Sequence, residues 1–368
     1  MRRSLSLLVA AAVVLVVAAP VGAAPGASPA GGVADRGTAA RDCSFPVSRT
    51  DATGTAVTID SDPSRVVVLQ PSAAQVMWEI NASDEVVGMP VKYYTEYLNG
   101  STDRVDVVAD DGSVNVERVV AASPDLVLAP NIVSNETVTQ LREDGLTVYK
   151  FSFGQSLSDI YAKTELVGRL TGNCAAAERR VETMKAEVTE IRDLAAGEPT
   201  PEVLFYMPGN YTAGTGTFVH EAIETAGGEN VAAEAGISGY KPISKELVVK
   251  YDPEVVVVQE GYPLPEGGVY ASTFAVRHDQ VVTVDRNYIS QPAPRVTIPM
   301  RAMAETFASA EVQTPTQTAT QTGTGTPAET MATRTTAGSG PGFGVVAALV
   351  AALAAALLAA RSSGRKPL

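Results

Sequence analysis

The chain has 368 residues, with 41 acidic against 28 basic and a net charge of −13. That balance excludes a nucleic-acid-binding role, which needs a basic face, and suits solubility in concentrated salt. Only two histidines are present, His220 and His278, far apart and without an acidic cluster at ligand spacing, which argues against a bare metal site.

The N-terminus reads Met1-Arg2-Arg3, then an apolar run from Leu5 to Ala19, then Val21-Gly22-Ala23-Ala24. This is a secretory signal over residues 1–24, cleaved or retained as a signal anchor; both readings export the rest of the chain. Cys43 lies too far behind the run for lipoprotein processing. Residues 42–172 are predicted to form a first lobe. Arg65-Val66-Val67-Val68-Leu69 reads as a buried strand broken by Pro71, with Ser72 expected to cap a helix to about Ile80. Strands at 85–88, 125–128 and 146–151 alternate with helices at 116–122 and 138–143. Continuous apolar strands between helices imply parallel sheets covered on both faces.

From Leu157 to Ala196 strand signals vanish. One helix ends near Thr171-Gly172-Asn173, and a second carries Val181, Met184, Val188, Ile191 and Leu194 on one stripe. At about 33 Å it can cross a small domain, and residues 173–197 are read as a linker helix. A second lobe, 198–310, comes next, with strands at 203–207, 255–258 and 281–284 and a helix at 218–226. His220-Glu221 on that helix lacks the second histidine of a zinc protease. The predicted class is α/β, two wound lobes with central parallel sheets joined by one long helix.

Residues 311–340, rich in Thr, Gln, Gly and Pro, are read as a stalk. The apolar run Val345–Ala360, about 24 Å as a helix, precedes Arg361, Arg365 and Lys366, which places the body outside the membrane. Pro341-Gly342-Phe343 ahead of it resembles the PGF-type sorting signal of archaeal surface proteins, in which the tail is replaced by a lipid; an ordinary single-span anchor is the alternative for 341–368. Either tethers the chain by its C-terminus to the outer face of the cytoplasmic membrane. Cys43 and Cys174, in an exported domain, form a disulfide or remain two buried thiols. Asn81, Asn99, Asn135 and Asn210 begin glycosylation sequons.

The two halves echo each other. Glu117-Arg-Val-Val-Ala-Ala-Ser-Pro124-Asp-Leu-Val-Leu128 matches Glu246-Leu-Val-Val-Lys-Tyr-Asp-Pro253-Glu-Val-Val-Val257 in its Glu, Val-Val, Pro, acid and apolar strand. Each Glu is at least a favourable helix-start residue. Together with Arg65 to Ser72, Val86-Val-Gly88, Ala226-Gly-Gly-Glu-Asn230, Ser244-Lys-Glu246 and Pro294-Arg295, in that order, these segments resemble the cobalamin and ferric-siderophore substrate-binding proteins over most of Ala56 to Phe307. The resemblance implies two α/β lobes on a long helix, a ligand in the cleft between them, and one surface carboxylate per lobe, here Glu117 and Glu246, docking on the permease of an ABC importer with its ATPase.

The cleft is expected to be lined by loops after the strands, with Tyr93, Tyr94, Tyr97, Asn131, Phe153, Tyr206, Tyr211, Tyr240, Tyr262 and Tyr288 as candidates. Aromatic rings with polar tips can grip a large flat ligand. Arg277, Arg286 and Arg295 are the candidate partners of an anionic siderophore. So tyrosine-rich and arginine-poor a cleft favours a corrinoid over a ferric siderophore. No cofactor is implied. Two rival readings are an enzyme, for which no catalytic motif is found, and a surface structural glycoprotein or adhesin, which the strand–helix alternation opposes.

Overall fold

The computed structural model describes residues 43–92 and 94–313. Tyr93, the 1–24 leader, nearly all of the stalk and the 341–368 tail lie outside the described residues. The chain enters through an antiparallel hairpin, Val47–Thr50 (β1) with Ala56–Ile59 (β2). The first lobe then builds an all-parallel sheet from Val66–Val68 (β3), Val86–Met89 (β4), Val105–Asp106 (β5), Leu126–Ala129 (β6) and Val148–Lys150 (β7), in the order β5-β4-β3-β6-β7. Val66 and Val68 pack on one face and Val67 and Leu69 on the other, all fully buried. An apolar run without alternation is what a strand covered on both faces requires. Its helices are Pro71–Glu79 (α1), Val116–Ala121 (α2) and Asn135–Glu143 (α3).

α1 begins two residues earlier than a Ser72 cap implies. Pro71 occupies its first turn, where a missing N–H costs nothing, and Gln70 stands at the cap position without a side-chain bond. Ser72 is therefore not the cap; its hydroxyl accepts a hydrogen bond from Lys163 Nζ at 3.0 Å.

Leu157–Leu170 (α4) and Cys174–Ala195 (α5) come next. α5 carries Ala177 in the core of the first lobe and Met184, Val188 and Ile191 in that of the second. Leu194, the last residue of the expected stripe, is exposed. α4 is also shared: Leu157 and Ile160 pack in the second lobe, Val167 and Leu170 in the first. The join is thus a pair of helices whose apolar stripes serve two cores. Cys43 and Cys174 form a disulfide, Cα–Cα 5.6 Å, that fastens the start of the described chain to the N-terminus of α5.

The second lobe contains Glu202–Tyr206 (β8), Tyr211–Ala213 (β9), Glu229–Asn230 (β10), Tyr240–Pro242 (β11), Val255–Gln259 (β12) and Val281–Val284 (β13). Four of these form a parallel sheet, β10-β8-β12-β13, while β9 and β11 pair antiparallel. Its helices are Phe218–Thr225 (α6), Val231–Glu234 (α7), Lys245–Tyr251 (α8), Gly268–Ala271 (α9), Phe274–Arg277 (α10), Arg286–Ile289 (α11) and Thr297–Ala308 (α12). His220 lies on α6, its Nδ1 3.2 Å from Asn230 Nδ2, and Glu221 accepts from the Leu157 amide at 2.7 Å. Among the described residues no cluster could hold a metal ion, and no helix is long and apolar enough to cross a membrane.

Candidate functional site: a cleft between two switch points

In each sheet the strand order reverses at one place, between β3 and β6 in the first lobe and between β8 and β12 in the second. Loops leaving the carboxyl ends of strands diverge at such a point and leave a crevice. The two crevices share one cavity of about 540 Å³. Gln70 to Ser72 follow β3, Pro130 to Ile132 follow β6, Met207 and Pro208 follow β8, and Gln259 and Tyr262 stand at the end of β12. Ile289, the last residue of α11, and Ser290 to Pro292 after it complete the lining.

Of the expected cleft residues, the cavity brings together Tyr94, Asn131, Phe153, Tyr240 and Tyr262. Tyr97 and Tyr288 sit elsewhere, edge to face at 5.2 Å, with the Arg295 guanidinium over both rings. Burial pushes the Tyr97 hydroxyl up to about 12, and it accepts a hydrogen bond from Gln75 at 2.7 Å. Tyr206 is the last residue of β8, not the first of a loop. Its ring faces away from the cavity and meets Tyr270 edge to face at 5.2 Å. The neighbouring Phe205 takes the cleft side, as strand alternation dictates. Tyr211 lies exposed on β9.

Sequence reasoning missed Phe205, Met207 and Phe218 on the apolar wall, and Gln70, Gln259 and Gln291 among the polar groups. The sequence reading sets this strand one residue late, at 203–207 against 202–206, and takes Tyr206 rather than Phe205 for the cleft. Amide side chains carry no periodic signal that could reveal the others. Among the described residues the side chains of Gln70, Asn131 and Tyr240 make no hydrogen bond, and Gln291 Oε1 is buried without a partner. Unspent polar groups on an apolar wall are what a ligand with a polar rim completes. Burial raises the Tyr240 hydroxyl well above its usual range, so it remains a neutral donor.

At the rim, Tyr94 of the first lobe reaches Tyr262 of the second. Their hydroxyl contact and burial raise Tyr94, and Arg286 lies over both rings at 5.4 and 5.8 Å. Tyr94 adopts φ 55°, a left-handed backbone uncommon for an aromatic residue. None of the three candidate arginines lines the cavity. Arg286 is at this rim, Arg277 pairs with Asp252 at 3.4 Å, and Arg295 is tied to Glu79 at 2.7 Å.

Glu117 and Glu246 each occupy the second position of a short helix, behind the caps Asn115 and Ser244. Both are exposed, and neither enters an ion pair among the described residues. Glu246 is held below the usual carboxylate range by its own backbone N–H and the Ser244 hydroxyl. Three residues on, Val120 and Val249 are 37% and 58% exposed. Asn115 N bonds Val107 O just past β5, and Ile243 N bonds Asn210 O just past β8. Both helices therefore start at the carboxyl edge of their sheets, the edge that carries the cleft.

A family model described as periplasmic binding protein matches residues 66–288. The chain belongs to that family. A cobalamin-binding protein of Halobacterium salinarum is 42% identical over 318 residues, covering 83% of this chain and 85% of that one. A vitamin B12-binding protein of Vibrio cholerae is 24% identical over 239 residues, 63% of this chain and 84% of its own. The apo form of a periplasmic heme-binding protein from Roseiflexus sp. RS-1 superposes with a TM-score of 0.59 at 26% identity, covering 67% of this chain and 98% of that one. The protein is the substrate-binding component of an ABC importer. Its partners are a permease and a ligand, its place is outside the cytoplasm, and it is not an enzyme.

Proposed function

We propose that the cleft captures a corrinoid such as cobalamin and presents it to the permease. The observation that carries this reading is the cavity itself. Its apolar and aromatic walls come from both lobes, Gln70, Asn131, Tyr240 and Gln291 have polar atoms to spare, and no arginine among the described residues lines it. A corrinoid offers the matching surface, a broad ring edged with amides. An anionic ferric siderophore would ask for cations in that wall. The name of the Halobacterium salinarum relative points the same way. Calorimetric titration of the purified full-length chain tests the reading. Cobalamin should bind with a dissociation constant in the micromolar range or below. A ferric siderophore that binds while cobalamin gives no heat overturns it.

Glu117 and Glu246 are assigned to permease docking, each with an exposed valine one turn further along its helix. Carboxylates meeting basic residues of a partner give orientation and encounter rate, and the apolar neighbour adds contact area. Residues 341–368 are assigned to tethering at the outer face of the cytoplasmic membrane. The basic tail after the apolar run supports that orientation.

A further inference from the structure

A second cavity, about 280 Å³, adjoins the cleft and shares Pro130, Asn131, Phe153 and Pro292 with it. Its lining is charged where the cleft is not: Asp51, Lys150, Asp159 and Lys163 all face it. The two carboxylates are already satisfied. Asp51 takes Arg142 at 2.6 Å and the Lys150 amide at 3.0 Å, which with the Thr53 hydroxyl lower its carboxyl against the effect of burial. Asp159 accepts the amides of Gln155 and Ser156 at 2.8 and 3.1 Å. The Lys150 ammonium donates to Asn135 Oδ1.

Lys163 differs. Its Nζ donates to Ser72 Oγ at 3.0 Å and to Pro292 O at 3.3 Å, both neutral acceptors, and it enters no ion pair among the described residues. An ammonium has three N–H donors, so one is left without a hydrogen-bond acceptor; the Phe151 ring lies 5.9 Å from Nζ. Burial without a counter-charge pulls its pKa from 10.5 down to about 7. Ser72 and Pro292 both line the cleft, so the ammonium stands in the partition between the two cavities.

We propose that this side cavity is an anion subsite of the ligand cleft, in which Lys163 receives the phosphodiester of a corrinoid's nucleotide arm. The inference rests on the corrinoid reading and deepens it. The cleft takes the ring, and the side cavity takes the one negative group attached to it. A charge-assisted bond to phosphate supplies the counter-charge that the protein withholds.

The test compares cobalamin with cobinamide, the same ring without the nucleotide arm, on the wild-type full-length chain and on Lys163→Met. The wild type should prefer cobalamin at least tenfold. Lys163→Met should shrink that preference to within threefold while cobinamide affinity stays unchanged, which also shows that the variant keeps its cleft. Independently of any variant, millimolar inorganic phosphate should weaken cobalamin binding and leave cobinamide binding alone. Equal affinity of the wild type for the two corrinoids, or equal effects of Lys163→Met on both, overturns the subsite and leaves the corrinoid reading standing. Binding of neither corrinoid overturns both.

Discussion

Glu79, near the end of α1, takes two guanidinium groups at once, Arg180 of α5 at 2.6 Å and Arg295 of the crossover before α12 at 2.7 Å. Arg180 also donates to Pro294 O at 3.0 Å, and Gln75 Oε1 accepts the Arg295 amide at 2.8 Å. The first lobe, the bridging helix and the returning chain thus meet at one carboxylate. All three side chains are largely buried, so removing the carboxylate strands Arg295 and leaves Arg180 with Glu187 alone, at 3.3 Å. Glu79→Ala should destabilise the protein by about 2 kcal/mol, measured by denaturant unfolding; a loss below ~0.5 kcal/mol would contradict this account of the junction. By sequence Arg295 is a candidate ligand partner. Sequence shows its charge but not that Glu79, 216 positions away, spends it.

At the scale of elements, the echo between the halves is legible in the sequence and proves to be structural as well. The acid after each proline clamps the start of the neighbouring strand. Asp125 accepts the amides of Ser64 and Arg65 at 2.9 and 3.0 Å ahead of β3, and Glu254 accepts the Glu202 amide at 2.9 Å at the head of β8. Parallel strands, the long helix and the order of lobes are readable because apolar runs and one-faced stripes report burial directly. The cleft lining is half readable. The loops are located well enough to gather five of the expected residues, but whether a side chain points in or out depends on register, and one residue decides Phe205 against Tyr206. That α4 serves both cores is not readable, since a stripe says that a face is buried and not against what. The paired helices α2 and α8 carry their own prediction. Glu117→Ala combined with Glu246→Ala should leave ligand affinity within twofold and lower uptake by cells at least tenfold. Undiminished uptake removes both carboxylates from docking.

At the scale of the whole molecule, the proposed C-terminal tether carries its own prediction. Deleting residues 341–368 should release the protein into the medium with its ligand affinity intact, detected by immunoblot of cell and medium fractions. Retention on the cell would place the tether elsewhere. The lobes are held by two bridging helices and by the returning segment around Arg295.

The helices that bear Glu117 and Glu246 begin on the same edge of their sheets as the ligand mouth. On the proposed docking, a transporter gripping those two handles would hold a pair of tongs near the tips. Spreading that grip by a small amount would then prise the jaws apart over the pore and release the load where it must fall.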